Sequence, residues 1–412
     1  MLTSITPRKV ALLGSTGSIG SNTLNVLRQH PDLFELVSIS CGSSLDAFVK
    51  QIEEFNPKTV SVSTESLAVQ LEQKLKSRIS FSNLPKIYFG IEGHTECISE
   101  TKPDVVISAM MGTHGLLATL KAAELGVQII GIANKEILVM AGPFVTKAVD
   151  EKKTKLIPVD SEHSAIFQAL MGNDLSEVKT IWLTGSGGPF RTRELSSFSK
   201  ITKAEALKHP NWAMGAKITI DSATMMNKGL EFIEAIRLFD LPSEKVKIIV
   251  HPESIVHSMV EYCDGSFMAQ LGISDMRIPI SLALHYPKRL PLQLGKELNL
   301  VEIGALHFEN PDFKKFPCLA LAIQAEKIGA QGSIVLNAAN EMAVDRFLKD
   351  SIDFMDIPLL VEEALSDFQS SRVENLGDVM ALDEEVKAWA TVWKRDLGLG
   401  RRNASSRATI SL

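Results

Sequence analysis

The chain has 412 residues, 45% hydrophobic and 22% charged, with 43 Lys and Arg against 49 Asp and Glu for a formal net charge of −6. That length gives room for several domains, each with its own core, and the composition excludes wholesale disorder and fibrous repeats. The mild acidity argues against a nucleic-acid partner, and no apolar run approaches the ~20 residues that cross a bilayer. Cys41, Cys97, Cys263 and Cys318 form no CxxC pair, so neither a disulfide framework nor a thiolate zinc site is expected. Met1 to Lys9 lacks a secretory pattern, and the expectation is a cytoplasmic protein with no membrane association.

Lys9–Leu13, Leu36–Ser40, Thr59–Ser63, Asp104–Met110 and Val127–Ala133 are short runs rich in Val and Ile, the texture of strands buried on both faces. Helical patterns separate several of them; Ile19, Thr23, Val26 and Leu27 share one face at offsets of four, seven and eight. This alternation predicts a Rossmann-like parallel sheet over 1–154, an α/β cofactor-binding domain. An α+β domain is expected over 155–285. It has strand-like runs at Lys179–Thr184 and Lys245–Val250, and a hairpin at Tyr262–Ser266 built on a two-residue Asp264-Gly265 turn. Residues 286–312 read as a linker. Apolar stripes at Ile357, Leu360, Val361, Ala364, Leu365 and Phe368, and at Val386, Trp389, Ala390 and Trp393, predict a C-terminal helical bundle over 313–397. A flexible tail is expected over 398–412.

The first strand runs into Gly14-Ser-Thr-Gly-Ser-Ile-Gly20 and then a helix, the arrangement that brings a backbone close to a pyrophosphate at a helix N-terminus. The second strand ends at Gly42-Ser43-Ser44; the missing acid there mildly favours NADP over NAD. Ala133-Asn134-Lys135-Glu136 follows the fifth strand, either as a capped helix start or as a lysine at a nucleotide cleft.

Pro158-Val-Asp160-Ser161-Glu162-His163 follows a strand-like lead-in. An extended chain carries Asp160 and Glu162 to the same side, where they suit a hard divalent cation or form an exposed acidic turn. Thr184 to Phe190, containing Ser186, has the composition of an anion-binding nest or a flexible loop. His209-Pro-Asn-Trp212-Ala-Met-Gly215 suits a flap over a ligand, or a loop anchored by its Trp. Asp221-Ser222-Ala-Thr-Met-Met-Asn227-Lys228-Gly-Leu-Glu231 offers the charge and neutral donors that a phosphomonoester accepts from. Glu231 is read as opening the following helix, interacting with its dipole or serving as a third metal ligand. A cysteine-dependent dehydrogenase fits poorly, because Cys41 ends a strand and Cys318 opens an apolar helix.

GSTGSIG, ANKE, PVDSEH, LTGSGGPF, HPNWAMG and DSATMMNKGLE, in this order and spacing, resemble the 1-deoxy-D-xylulose 5-phosphate reductoisomerase family. The likeness runs from residue 9 to about 395 and includes His251-Pro-Glu-Ser254-Ile-Val-His257 and Leu336-Asn-Ala-Ala-Asn340-Glu341. It implies a three-part homodimer in which 1–154 binds NADPH, 155–285 is the catalytic and dimerisation domain, and 313–397 is a C-terminal helical domain. It also implies NADPH-dependent reduction of a sugar phosphate, after a rearrangement promoted by Mg²⁺ or Mn²⁺ on Asp160, Glu162 and Glu231. Lys135 and Ser161 carry over as contacts to the substrate's oxygens. Ser186, His209, Ser222, Asn227 and Lys228 carry over to its phosphate and hydroxyls, with Trp212 over the substrate. Lys135 and His209 join the metal ligands as catalytic residues. Thr16, Gly17, Ser18, Ile19, Gly42, Ser43, Ser44, Asn134, Glu136 and Gly215 carry over to the cofactor. The family often has a base followed by Asn where Ser43 and Ser44 stand, so a weaker preference for NADPH is expected.

Overall fold

A computed structural model of the chain describes residues 6–78, 84–110, 112–212 and 214–395; the expected 398–412 tail lies outside them. The first part alternates strand and helix: β1 (Arg8–Leu13), α1 (Ser18–Gln29), β2 (Phe34–Ser40), α2 (Leu45–Phe55), β3 (Thr59–Val62), α3 (Glu65–Lys76), β4 (Lys86–Phe89), α4 (Gly90–Thr101), β5 (Val105–Ser108), α5 (Leu116–Glu124), β6 (Ile129–Ile132), α6 (Lys135–Lys152) and β7 (Lys155–Pro158). The seven strands form one parallel sheet in the order β4-β3-β2-β1-β5-β6-β7. The sheet is Val- and Ile-rich because helices cover both faces; Val10, Leu12, Val105, Val106, Ile107 and Ile130 are fully buried. The order reverses between β1 and β5, and ligands of open α/β sheets sit at that switch point, beyond the carboxyl ends of the strands.

Pro158 pairs with Ile132 on the outermost strand, where a residue without an N–H costs no ladder bond. A division of the chain at 154/155 therefore leaves the sheet's seventh strand with the following segment.

That segment continues through α7 (Ser161–Leu170), β8 (Val178–Gly185), α8 (Lys203–Ala206), α9 (Ala216–Ala223), α10 (Met226–Phe239), β9 (Val246–Val250), β10 (Val256–Tyr262), β11 (Phe267–Leu271) and α11 (Arg277–His285). A second sheet has the order β11-β10-β8-β9, with β8 and β9 parallel and the other pairs antiparallel. The β10–β11 connection is a hairpin, but not on a two-residue turn. Gly265 N–H donates to the Tyr262 carbonyl at 3.0 Å and Tyr262 N–H to the Ser266 carbonyl at 2.9 Å, with only Gly265 at positive φ, +85°. Three residues thus close the loop, a turn followed by a glycine bulge, since Asp264 need not take the left-handed conformation a two-residue turn would impose.

The 286–312 stretch is not featureless. It contains α12 (Leu300–Ile303), and Glu309 makes an antiparallel bridge with Val250. The chain ends in α13 (Pro317–Ile328), α14 (Ala330–Leu348), α15 (Asp356–Asp367) and α16 (Leu376–Val392). The apolar stripe of α15 is buried at Ile357, Leu360, Val361, Ala364 and Leu365. One apolar cluster joins these helices to α6, α10 and β8. A second holds residues of β1, β2, β3 and β5 from the parallel sheet together with Ile280, Ala283 and Leu284 of α11. The site described next lies where these units meet.

Candidate active site

The turn after β1 is shaped by what it must avoid. Gly14 has φ +86° and a Cβ there would lie 2.6 Å from the Ala109 carbonyl oxygen; at Gly20 it would lie 2.3 Å from that of Gly14. Only glycine fits either position. Ser40 Oγ accepts from Gly14 N–H at 2.9 Å, and Ser15 Oγ donates to Gln51 at 2.7 Å, so the loop is fixed from below. Gly17 caps α1 with no side-chain bond, leaving first-turn amides for an anion. Ser18 and Ile19 line the adjoining cavity. Thr16 and Gly17 stand beside them in the turn; Gly42, Ser43 and Ser44 lie exposed after β2.

Asp160 and Glu162 come together by a different route from the extended chain expected of PVDSEH. Asp160 is the N-cap of α7, its Oδ1 accepting from the N–H groups of Glu162 at 3.1 Å and His163 at 3.4 Å, and Glu162 lies in the helix's first turn. Unpaired amides at a helix start draw in a carboxylate, and that overrides the alternation of a strand. The expectation that Glu231 opens its helix is likewise corrected. After Met225, at φ +61°, α10 starts at Met226, which puts Glu231 in the second turn facing Asn227 and Lys228. The ligand-type oxygens of Asp160, Glu162 and Glu231 all lie within 4.8 Å of one another.

Two ammonium groups hold the cluster. Lys135 Nζ donates to Asp160 Oδ2 at 3.0 Å, Glu231 Oε1 at 3.0 Å and Asn227 Oδ1 at 2.9 Å. Lys228 Nζ donates to Glu162 Oε1 at 2.9 Å and also to Glu231 Oε2. Asn227 donates to Glu231 at 2.5 Å, and Ser161 Oγ to Glu162. Lys135, Lys228 and Glu231 are nearly inaccessible, at 7%, 4% and 1% side-chain exposure. Burial opposes charge on Asp160, yet Lys135, His163 and Lys228 hold it well below the usual carboxylate range. Burial and the charge of Asp160 push Glu231 up in spite of its two lysines. Asp160, Glu162 and Glu231 present convergent hard oxygens, a set that fits a divalent cation.

Opposite this cluster, Ser186 Oγ lies 3.3 Å from His209 Nε2 and accepts from Gly188 N–H at 3.2 Å. His209 Nδ1 accepts from Asn211 N–H at 3.1 Å and Trp212 N–H at 2.9 Å. The proton of the neutral ring is therefore on Nε2, a donor aimed at Ser186. Burial pushes this imidazole down to about 4.

One cavity is lined by Ser18, Ile19, Lys135, Asp160, Ser161, Glu162, Ser186, His209, Trp212, Gly215, Ser222, Asn227, Lys228 and Glu231, so it joins the glycine turn to the carboxylates and the flap. Not every expected residue reaches it. Thr16, Gly17, Gly42, Ser43, Ser44, Asn134 and Glu136 are outside its lining. Asn134 is occupied as the N-cap of α6, accepting from Ile137 N–H at 3.3 Å and donating to the Gly112 carbonyl at 2.9 Å. Glu136 pairs with Lys217 at 2.9 Å. Asn227 and Lys228, expected at the phosphate and hydroxyls, face the carboxylates of Glu231 and Glu162. Met214, Ile218, Met225, Ser254 and Met276 also line the cavity and were not foreseen in that role; Met214, Met225 and Ser254 lie within motifs quoted from the sequence, whereas Ile218 and Met276 lie outside them.

Known proteins resemble this chain in sequence and fold. A family model described as 1-deoxy-D-xylulose 5-phosphate reductoisomerase matches residues 10–142, its C-terminal domain matches 156–239, and a DXP reductoisomerase C-terminal domain matches 271–389. The 1-deoxy-D-xylulose 5-phosphate reductoisomerase of Bacillus subtilis (strain 168) is 48% identical over 382 residues, covering 93% of this chain and 98% of that protein. That of Prosthecochloris aestuarii is 47% identical over 383 residues, with coverage of 93% and 98%. Among solved structures, a DOX-P reductoisomerase in complex with NADPH, fosmidomycin and magnesium superposes with a TM-score of 0.88 at 40% identity, covering 93% of this chain and 97% of that one. The Zymomonas mobilis enzyme in complex with NADPH gives 0.85 at 40% identity, with coverage of 93% and 98%.

Proposed function

The chain belongs to the 1-deoxy-D-xylulose 5-phosphate reductoisomerase family, and from that premise we propose that the cavity between the glycine turn and the carboxylate cluster is its active site. The enzyme rearranges 1-deoxy-D-xylulose 5-phosphate and reduces it with NADPH to 2-C-methyl-D-erythritol 4-phosphate, a metal-dependent step of non-mevalonate isoprenoid precursor synthesis. When bound, a divalent cation supplies Lewis-acid polarisation of the substrate's oxygens, and NADPH supplies the hydride.

Asp160, Glu162 and Glu231 would hold the cation, Mg²⁺ or, as we also propose, Mn²⁺; their convergence within 4.8 Å is the observation that carries the reading. Lys135, already bonded to two of these carboxylates and to Asn227, keeps them apart from one another's charge and with Ser161 faces the substrate's oxygens. Ser186, Ser222, Asn227 and Lys228 supply donors to phosphate and hydroxyls. His209, fixed as the Nε2–H form by its own loop, offers one more without adding a charge. Trp212, half-buried at the cavity wall, excludes water from the reacting carbon.

Thr16, Gly17, Ser18 and Ile19 receive the cofactor's pyrophosphate, with Asn134, Glu136 and Gly215 toward the nicotinamide end and Gly42, Ser43 and Ser44 toward the 2′-phosphate. Hydroxyls in place of a base there give a weaker preference for NADPH over NADH than a basic side chain would. The domain division at 154, 285 and 312 follows the same assignment of roles.

Two copies are proposed to pair through β11. Support comes from its position at the sheet edge and from Phe267 and Met268, each 51% exposed, since such an edge invites a partner strand. A cytoplasmic location is proposed on the unpaired Cys41, Cys97, Cys263 and Cys318. Among the described residues no helix is long and apolar enough to cross a membrane.

Replacing Glu231 tests the assignment. E231Q is expected to lower kcat by about a hundredfold or more, through lost charge stabilisation, with NADPH binding unchanged. Activity within about threefold of the parent removes Glu231 from the metal site.

A further inference from the structure

Behind the flap runs a line of buried polar side chains that the reaction does not use directly. Lys217, in the first turn of α9, bonds Glu136 Oε1 at 2.9 Å and Asp221 Oδ2 at 2.9 Å. Asp221 Oδ1 accepts from Asn340 Nδ2 at 2.8 Å. The line thus ties three parts of the chain together: the start of α6 beside Lys135, the helix that leaves the flap, and the LNAANE stretch of α14. Asp221 and Asn340 are inaccessible, and the Glu136 and Lys217 side chains are 13% and 22% exposed. Lys217 is the cation of the group, facing both carboxylates. A carboxylate so placed loses its charge or its orientation once its cation is taken away. Gly215, the N-cap of α9, lines the cavity two residues before Lys217, so the lysine also pins the far end of the flap to the cofactor side of the site.

We infer that Lys217 is a positioning residue for the nicotinamide cofactor: by holding the Glu136 carboxylate against the first turn of α9, it sets Glu136 and Gly215 in one arrangement, with Asp221 and Asn340 bracing it from the helical bundle. The inference rests on the proposed cofactor roles of Glu136 and Gly215. Lys217 does not line the cavity and acts through Glu136.

The test titrates NADPH, followed by its own fluorescence, into the dimeric or monomeric full chain as it purifies, without substrate or metal, for K217M, K217R, E136Q and K217M/E136Q. Steady-state constants are measured in parallel. K217M is expected to weaken NADPH roughly tenfold, the size of one hydrogen bond to a charged group, while KM for the sugar phosphate stays within about twofold. K217R restores most of the affinity, and the double variant is no weaker than K217M, because both changes remove one contact. If E136Q weakens NADPH but K217M does not, the positioning role is overturned and the cofactor reading stands. If E136Q binds NADPH normally, the cofactor reading of Glu136 falls and the inference falls with it. K217Q gives the same readout should K217M not fold.

Discussion

Asp160 caps a helix, bonds a buried lysine and presents an oxygen toward two other carboxylates, and its residue type was legible in the sequence where its geometry was not. A motif such as PVDSEH states which donors are present. Whether they meet as alternate residues of a strand or as a cap and first turn depends on where the helix begins, and the pull of free amides on a carboxylate decides that. Lys135 was visible as a lysine at a cleft mouth, but nothing in ANKE announced that its Nζ would bridge residues 25 and 96 positions away. His94 shows a similar hidden environment. Buried, with Nδ1 2.7 Å from Ser61 Oγ, its imidazole is pushed down to about 4 by burial, with His114 adding to the effect. Its folded value is below the ordinary 6.5, so between the two the unfolded chain binds more protons and stability falls as pH drops through that window. The loss approaches on the order of 3 kcal/mol at the acid end. H94Q is expected to flatten this part of the profile; denaturant unfolding of both proteins across the window checks it, and parallel slopes would contradict the account.

Elements with a strong period were the easiest to read. The strands of the parallel sheet run as continuous Val and Ile because both faces are covered, and the α15 stripe repeats at helical spacing. Lys86–Phe89 is absent from the strands expected of the sequence: β4 is a four-residue edge strand, too short to show a period, and none of its residues is buried. The start of α10 was also misplaced, since Thr224 to Asn227 shows no conventional cap and the chain enters the helix through Met225 in the left-handed conformation. Helix α10 carries Lys228 and Glu231, and its distance from α13 is set by Gly229, where an added Cβ would stand 2.4 Å from that of Ala322. G229A therefore forces the bundle away from the site. Its expected cost is about 1–3 kcal/mol, with a lower Tm and reduced kcat together. A variant as stable as the parent would mean that the two helices separate freely.

At the scale of the whole molecule, sequence order indicated a parallel sheet, but not its strand order, and so not that β1 and β5 would be neighbours at the reversal point. Nor could it show α10 lying between α6 and the C-terminal helices in one apolar cluster, because packing between distant segments leaves no local period. The proposed dimer belongs to this scale. M268K places a charge on the exposed face of β11 and is expected to shift the protein to monomer in light scattering; an unchanged dimer would move the interface elsewhere. The central claim, that three carboxylates from two helices bind one catalytic cation beside the nicotinamide site, is tested most directly by following NADPH oxidation with 1-deoxy-D-xylulose 5-phosphate after stripping the enzyme with chelator. The expected result is no oxidation until Mg²⁺ is returned, then full turnover. Steady oxidation with chelator still present would contradict it.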